Sequence, residues 1–147
     1  MLQEVATRLG SSVRSYDAVG CYGGEEFLVV VPNCKTDDIV TSGERLRRRV
    51  QDLPVAPTSG PISVTISVGV VSAAMGIGPM DYQTLLRLAD EALYRAKSNG
   101  RNGVESARYA AAEALPPCPH LAREPVEKRQ QYCYRAALDP NSSRQPC

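Results

Sequence analysis

The stretch Ala18-Val19-Gly20-Cys21-Tyr22-Gly23-Gly24-Glu25-Glu26-Phe27-Leu28-Val29-Val30-Val31 decides the reading of this chain. Ala18–Tyr22 and Phe27–Val31 are short, apolar and β-favouring, and glycines lie between them, which predicts a β-hairpin. Pro32-Asn33 closes the second strand. Gly23 and Gly24 lack a Cβ, so the backbone can turn tightly and come close to a charged ligand. Glu25 and Glu26 supply hard oxygen ligands of the kind Mg2+ takes, one or two carboxylates completed by substrate phosphates. The same run also fits a plain hairpin with two solvated glutamates. Taken alone it leaves both readings open.

Upstream, Leu2, Val5, Ala6 and Leu9 recur at helical spacing and predict a helix over 2–11, with Gly10 able to end it. Arg14-Ser15-Tyr16-Asp17 then leads into the hairpin. Downstream, Lys35-Thr36-Asp37-Asp38 reads as a helix start with Thr36 or Asp37 as N-cap. Ile39, Gly43, Leu46, Val50 and Leu53 form one buried stripe, and Arg45, Arg47, Arg48 and Arg49 lie around the solvated side. A Pro/Gly/Ser loop over 54–61 precedes the clearest strand, Ile62–Val71. There Val64, Ile66, Val68 and Val70 alternate with Ser63, Thr65, Ser67 and Gly69, a small face suited to close packing or ligand approach. Asp81–Asn99 is a strong helix with Tyr82, Leu85, Leu86, Ala89, Ala92, Leu93 and Ala96 as its apolar stripe and Gly100 at the position past its end. Val104 starts a short last strand. The order helix, strand, strand, helix, strand, helix, strand predicts an α+β sandwich with helices covering a mostly antiparallel sheet. A strand ahead of the first helix would complete βαββαβ, the ferredoxin-like arrangement.

A chain of 147 residues that is 43% hydrophobic and 22% charged suffices for one domain with a core. Its net charge of +1 gives no footprint for nucleic acid. No apolar run approaches the ~20 residues that span a bilayer, and the N-terminus lacks a secretory layout. The cytoplasm is the compartment expected. Five cysteines, an odd number with no CxxC pair, favour thiols over a disulfide framework, and Cys118-Pro119-His120 has no second ligand pair at zinc-like spacing. From about Tyr109 onward periodicity fades, and six of the 11 prolines follow it. Residues 107–147 are expected to be a loosely docked or disordered tail.

Four segments in this order and spacing, Arg14–Asp17, Gly23-Gly24-Glu25-Glu26-Phe27, Val64–Val70 and Asp90-Glu91-Ala92-Leu93-Tyr94-Arg95-Ala96-Lys97-Ser98-Asn99-Gly100-Arg101-Asn102, resemble the GGDEF family of diguanylate cyclases, here as the GGEEF variant. The resemblance covers roughly 2–106. It implies a palm-type fold and condensation of two GTP into cyclic di-GMP with release of two diphosphates, each domain of a homodimer holding one GTP. It implies Mg2+ or Mn2+ as cofactor, with Glu25 as metal ligand and Glu26 as a supporting carboxylate. Gly23 and Gly24 would let GTP lie against the backbone, and Lys97 and Arg101 would hold its phosphates. Four apart, the two cations share a face if the helix runs to Gly100, although cations favour a helix C-terminus in any protein. Arg14 and Asp17 match the family's inhibitory product site.

The match departs at Cys21, where many relatives carry a basic residue, and at the N-terminus, where the family's first strand and the helix after it have no counterpart. That strand delivers another metal-binding aspartate and takes a middle place in the sheet. The expectations are an N-terminally truncated domain over 1–106, exposed strand edges, and little or no cyclase activity in the chain as written. The alternatives are a non-catalytic module that binds cyclic di-GMP through Arg14 and Asp17, and a piece without function.

Overall fold

The computed structural model describes residues 2–34, 38–52, 60–74, 81–109 and 130–138. In chain order these form α1 (Leu2–Ser12), β1 (Ala18–Gly23), β2 (Glu26–Pro32), α2 (Ile39–Gln51), β3 (Ile66–Ala74), α3 (Tyr82–Ser98), β4 (Val104–Tyr109) and β5 (Gln130–Leu138). The strands make one five-stranded sheet in the order β1-β2-β5-β3-β4. Only the β3–β4 pair is parallel.

The alternation of β2 and β3 assigns the helices to faces. Phe27, Val29 and Val31 join Ile66, Val68 and Val70 in a core with Val5 and Leu9 of α1 and Ile39, Leu46 and Val50 of α2. On the opposite face Val71 and Ala73 pack with Leu85 and Ala89 of α3, with Leu28 against them. Helices therefore cover both faces. Burial on both faces is why β3 reads as an almost unbroken apolar run from Val68 to Ala73. Burying each such side chain contributes roughly 1.5–3 kcal/mol. Arg8 of α1 is also buried, its guanidinium donating to the Val50 carbonyl of α2 at 3.3 Å and to Glu4 at 3.1 Å. A cation at that carbonyl end answers the α2 dipole and ties α1 down.

Several boundaries differ from expectation. α1 runs past Gly10 to Ser12. Each hairpin strand gains a residue at the turn, so the two-residue connection is Gly24-Glu25, with Gly24 at φ 53°. The N-cap of α2 is Asp38, without a side-chain cap bond, while Thr36, Asp37 and Leu53 lie outside the described residues. The strand expected from Ile62 begins at Ile66, although Val64 is fully buried. Tyr82, expected in the apolar stripe of α3, is the first residue of the helix and is exposed.

The main correction concerns the tail. Residues 130–138 are a strand, and it lies in the middle of the sheet. β5 is antiparallel to both neighbours: Tyr134 stands opposite Val29 of β2 and Val70 of β3. The middle position that the ferredoxin-like order gives to a first strand is thus filled from the C-terminal side. The inner edges of β2 and β3, expected to be exposed, are paired. Residues 107–109 end β4, and 110–129 and 139–147, with Cys118 and His120, lie outside the described residues.

One glycine sets the depth of the α3 face. A Cβ on Gly69 would come within 2.4 Å of the Ala89 carbonyl oxygen and of the Leu93 nitrogen, both α3 backbone. Helix and strand touch there, so the small face read in the sequence serves close packing. Gly69→Ala is expected to lower stability by about 1–3 kcal/mol or more, because backbone cannot rotate away as a side chain can. Urea unfolding checks it; an unchanged midpoint would contradict the close approach.

Candidate functional site

α3 carries one cationic candidate to the hairpin. Its start is fixed by Asp81, whose side chain accepts from the Gln83 N–H at 3.0 Å and from the Thr84 hydroxyl. The Thr84 bond is the first cause holding the Asp81 carboxyl below its ordinary range. Its end is a Schellman turn. Asn99 is the C-cap, Gly100 follows at φ 103°, and the Arg101 N–H bonds the Ala96 carbonyl at 3.1 Å. Lys97 sits in this last turn. Its Nζ lies 3.5 Å from Oε1 of Glu26, both side chains being about three-tenths exposed (29% and 27%). Glu26 reaches α3 because it shares the sheet face of Leu28, two residues on.

The predicted residues divide into two groups. Gly23, Gly24, Glu25 and Glu26 lie at the hairpin turn, with Lys97 against Glu26. Glu25 is exposed on the turn itself. Arg101 is beyond the helix, which ends at Ser98, so it does not share a helical face with Lys97 as expected. It stands instead on a left-handed corner at φ 61°, followed by Asn102 at φ 44°. Arg14 and Asp17 lie at the other end of β1, about 20 Å from the turn at strand rise.

Arg14 and Asp17 are joined through backbone. The Arg14 N–H donates to Asp17 Oδ2 at 2.7 Å, and the Asp17 N–H to the Arg14 carbonyl at 3.0 Å. The Arg14 guanidinium bonds the Tyr16 hydroxyl at 2.7 Å and lies 5.7 Å from the centre of that ring. The Tyr16 hydroxyl bond is the first cause raising the Arg14 pKa, so its charge is secure. The second oxygen of Asp17, Oδ1, is buried and has no hydrogen-bond partner. Arg14 and Asp17 line a cleft of about 350 Å³ together with Asn33, Cys34, Ser42 and Arg45. The sequence reading missed Tyr16 and Arg45 here. Arg45 falls one helical turn after Thr41, another lining residue, a spacing that could have shown it. Cys21 and Cys34 are in no disulfide.

The donor set fits a metal only in part. Among the described residues no three His, Cys, Asp or Glu side chains cluster closely enough to hold an ion. Two adjacent carboxylates suit Mg2+ that arrives with phosphates and waters as its remaining ligands, and do not suit a cation held by protein alone.

Comparison with known proteins identifies the family. The family described as "Diguanylate cyclase, GGDEF domain" matches residues 1–103. The response regulator PleD of Caulobacter vibrioides is 43% identical over 106 residues, 71% of this chain and 23% of PleD. Diguanylate cyclase DosC of Escherichia coli K12 is 40% identical over 106 residues, 71% of this chain and 22% of DosC. The chain therefore spans under a quarter of these relatives' length. Among solved structures, diguanylate cyclase SiaD of Pseudomonas aeruginosa, in complex with its activator SiaC, superposes with TM-score 0.64 at 39% identity, covering 72% of this chain and 40% of that one. The GGDEF domain of DgcB from Caulobacter crescentus, in complex with c-di-GMP, gives TM-score 0.62 at 28% identity, covering 71% and 61%. The chain belongs to the GGDEF family of diguanylate cyclases, and its fold is the palm-like α+β fold of that family. No helix among the described residues is long and apolar enough to cross a membrane.

The Glu26–Lys97 pair is about three-tenths exposed to solvent, and ion pairs in contact with water contribute about 1 kcal/mol or less. Lys97→Met is expected to change stability by less than that in urea unfolding. A larger loss would make Lys97 a structural residue and remove it from the site.

Proposed function

We propose that this domain binds GTP at the hairpin and condenses two GTP into cyclic di-GMP and two diphosphates when two copies meet face to face. The observation that carries the reading is the approach of Lys97 to Glu26 beside the exposed Glu25, which gathers carboxylate and cation at a glycine turn. Glu25, with Glu26 in support, would hold Mg2+ or Mn2+ brought with the nucleotide; when bound, such an ion would neutralise phosphate charge and would lower the pKa of an attacking 3′-hydroxyl. Lys97 and Arg101 would fix the phosphates. Gly23 and Gly24, with no side chain, would admit the nucleotide against backbone. Each copy presents the hydroxyl of its own GTP to the α-phosphate held by the other.

A second reading has its own support. The unpartnered Oδ1 of Asp17, in a cleft with Arg14 and Arg45, suits a ligand that carries both N–H donors and phosphate oxygens. Cyclic di-GMP has both on its guanine and phosphate edges. Binding there without turnover would make the domain a regulatory module. β5 supplies a middle strand, which supports a folded, competent domain. A cytoplasmic location accords with GTP as substrate.

The full chain with GTP and Mg2+ or Mn2+ is expected to bind the nucleotide and form cyclic di-GMP slowly, with Glu25→Ala reducing product to background. Titration with cyclic di-GMP is expected to show binding that Arg14→Ala removes. Dinucleotide binding without turnover selects the regulatory reading, and absence of both contradicts the two together.

A further inference from the structure

Arg47 was expected on the solvated basic face of α2, yet its side chain is only 13% exposed. Four polar contacts account for it. Its guanidinium holds Glu44 through Nε at 3.0 Å and Nη2 at 2.9 Å, and Nη1 donates to Gln51 Oε1 at 2.6 Å and to Asn102 Oδ1 at 2.7 Å. The Asn102 amide returns a bond of 3.4 Å to the same Gln51 oxygen. A planar guanidinium is the side chain that satisfies such a forked set, and lysine could not.

The far end of this network is the corner after α3. Gly100, Arg101 and Asn102 hold φ 103°, 61° and 44° in succession. Glycine adopts that region freely, asparagine tolerates it, and arginine does so only when its surroundings impose it. The corner is clamped on three sides. The Arg101 N–H bonds Ala96 at 3.1 Å, the Gly103 carbonyl accepts from Val68 of β3 at 2.9 Å, and Asn102 is held by Arg47. The Arg101 side chain remains exposed.

We propose that Arg47 is a positioning residue: by fixing Asn102 it holds the left-handed corner that carries Arg101 just past the end of α3, and so sets where Arg101 meets the phosphates of a nucleoside triphosphate. The inference rests on the proposed role of Arg101 in GTP binding. It adds that Arg47 acts on the ligand only through Arg101. An arginine buried merely to pack α2 against the sheet would have no such dependence.

Two mutational cycles on the full chain test this, with GTP and Mg2+ as the probe in calorimetric titration. Arg47→Ala is expected to weaken GTP binding about tenfold in the parent background and less than about twofold when Arg101→Ala is already present. Asn102→Gly, which tolerates the same backbone, removes the same tie and is the variant to use should Arg47→Ala fail to fold; it is expected to follow the same pattern. Equal losses with and without Arg101, or no loss, would overturn the positioning role. Should Arg101→Ala itself leave GTP affinity unchanged, or the parent chain bind no GTP, both readings fall. If Arg101→Ala weakens binding and the two corner variants do not, only the positioning role falls.

Discussion

The arrangement depends on what stands between β2 and β3. Each strand has an inner edge of backbone N–H and C=O groups inside the sheet; β3 has helices against both faces, and β2 buries its Phe27, Val29 and Val31 face. Such groups cost about 1–3 kcal/mol each when left without partners. β5 supplies those partners, pairing with β2 from Glu26 to Pro32 and with β3 from Ile66 to Ala74. It also sets a distance. With Ala137 between Glu26 and Ser67, the hairpin lies two strand spacings, about 10 Å, from the strand under α3. Glu26 and Lys97 meet because of that spacing.

The second constraint is depth. Gly69 lets the α3 backbone come down onto β3, and the Schellman turn ends the helix beside the hairpin. The strand that receives α3 also receives the Gly103 carbonyl, so helix end and left-handed corner share one support. Arg14 and Asp17 stand at the opposite end of β1. The proposed nucleotide site and the proposed dinucleotide cleft are therefore separate, joined through β1 and β2 and not by shared side chains.

Much of this was legible because it is local. The hairpin, the stripe of α2 and the cap and glycine stop of α3 are written in spacing that neighbouring residues settle among themselves. β5 was not legible. Gln130-Gln131-Tyr132-Cys133-Tyr134-Arg135-Ala136-Ala137-Leu138 has neither clean alternation nor the unbroken apolar run of a middle strand. Its partners lie from 56 to 111 positions away, and strand formation answers to such partners more than to intrinsic preference. At the site, the glycines, Glu25, Glu26 and Lys97 were readable from their motif. The inward turn of Arg47 was hidden, because a run of arginines shows no sign of which one meets a distant asparagine. The left-handed Arg101 was hidden too, since arginine carries no local preference for that conformation.

Amide hydrogen exchange on the full chain tests the central claim, that residues 130–138 form the middle strand. The account predicts that their backbone amides exchange as slowly as those of Val29 and Val70 and open together with them, as one cooperative unit. Exchange of 130–138 at the rate of an unstructured peptide, with Val29 and Val70 still protected, would contradict it.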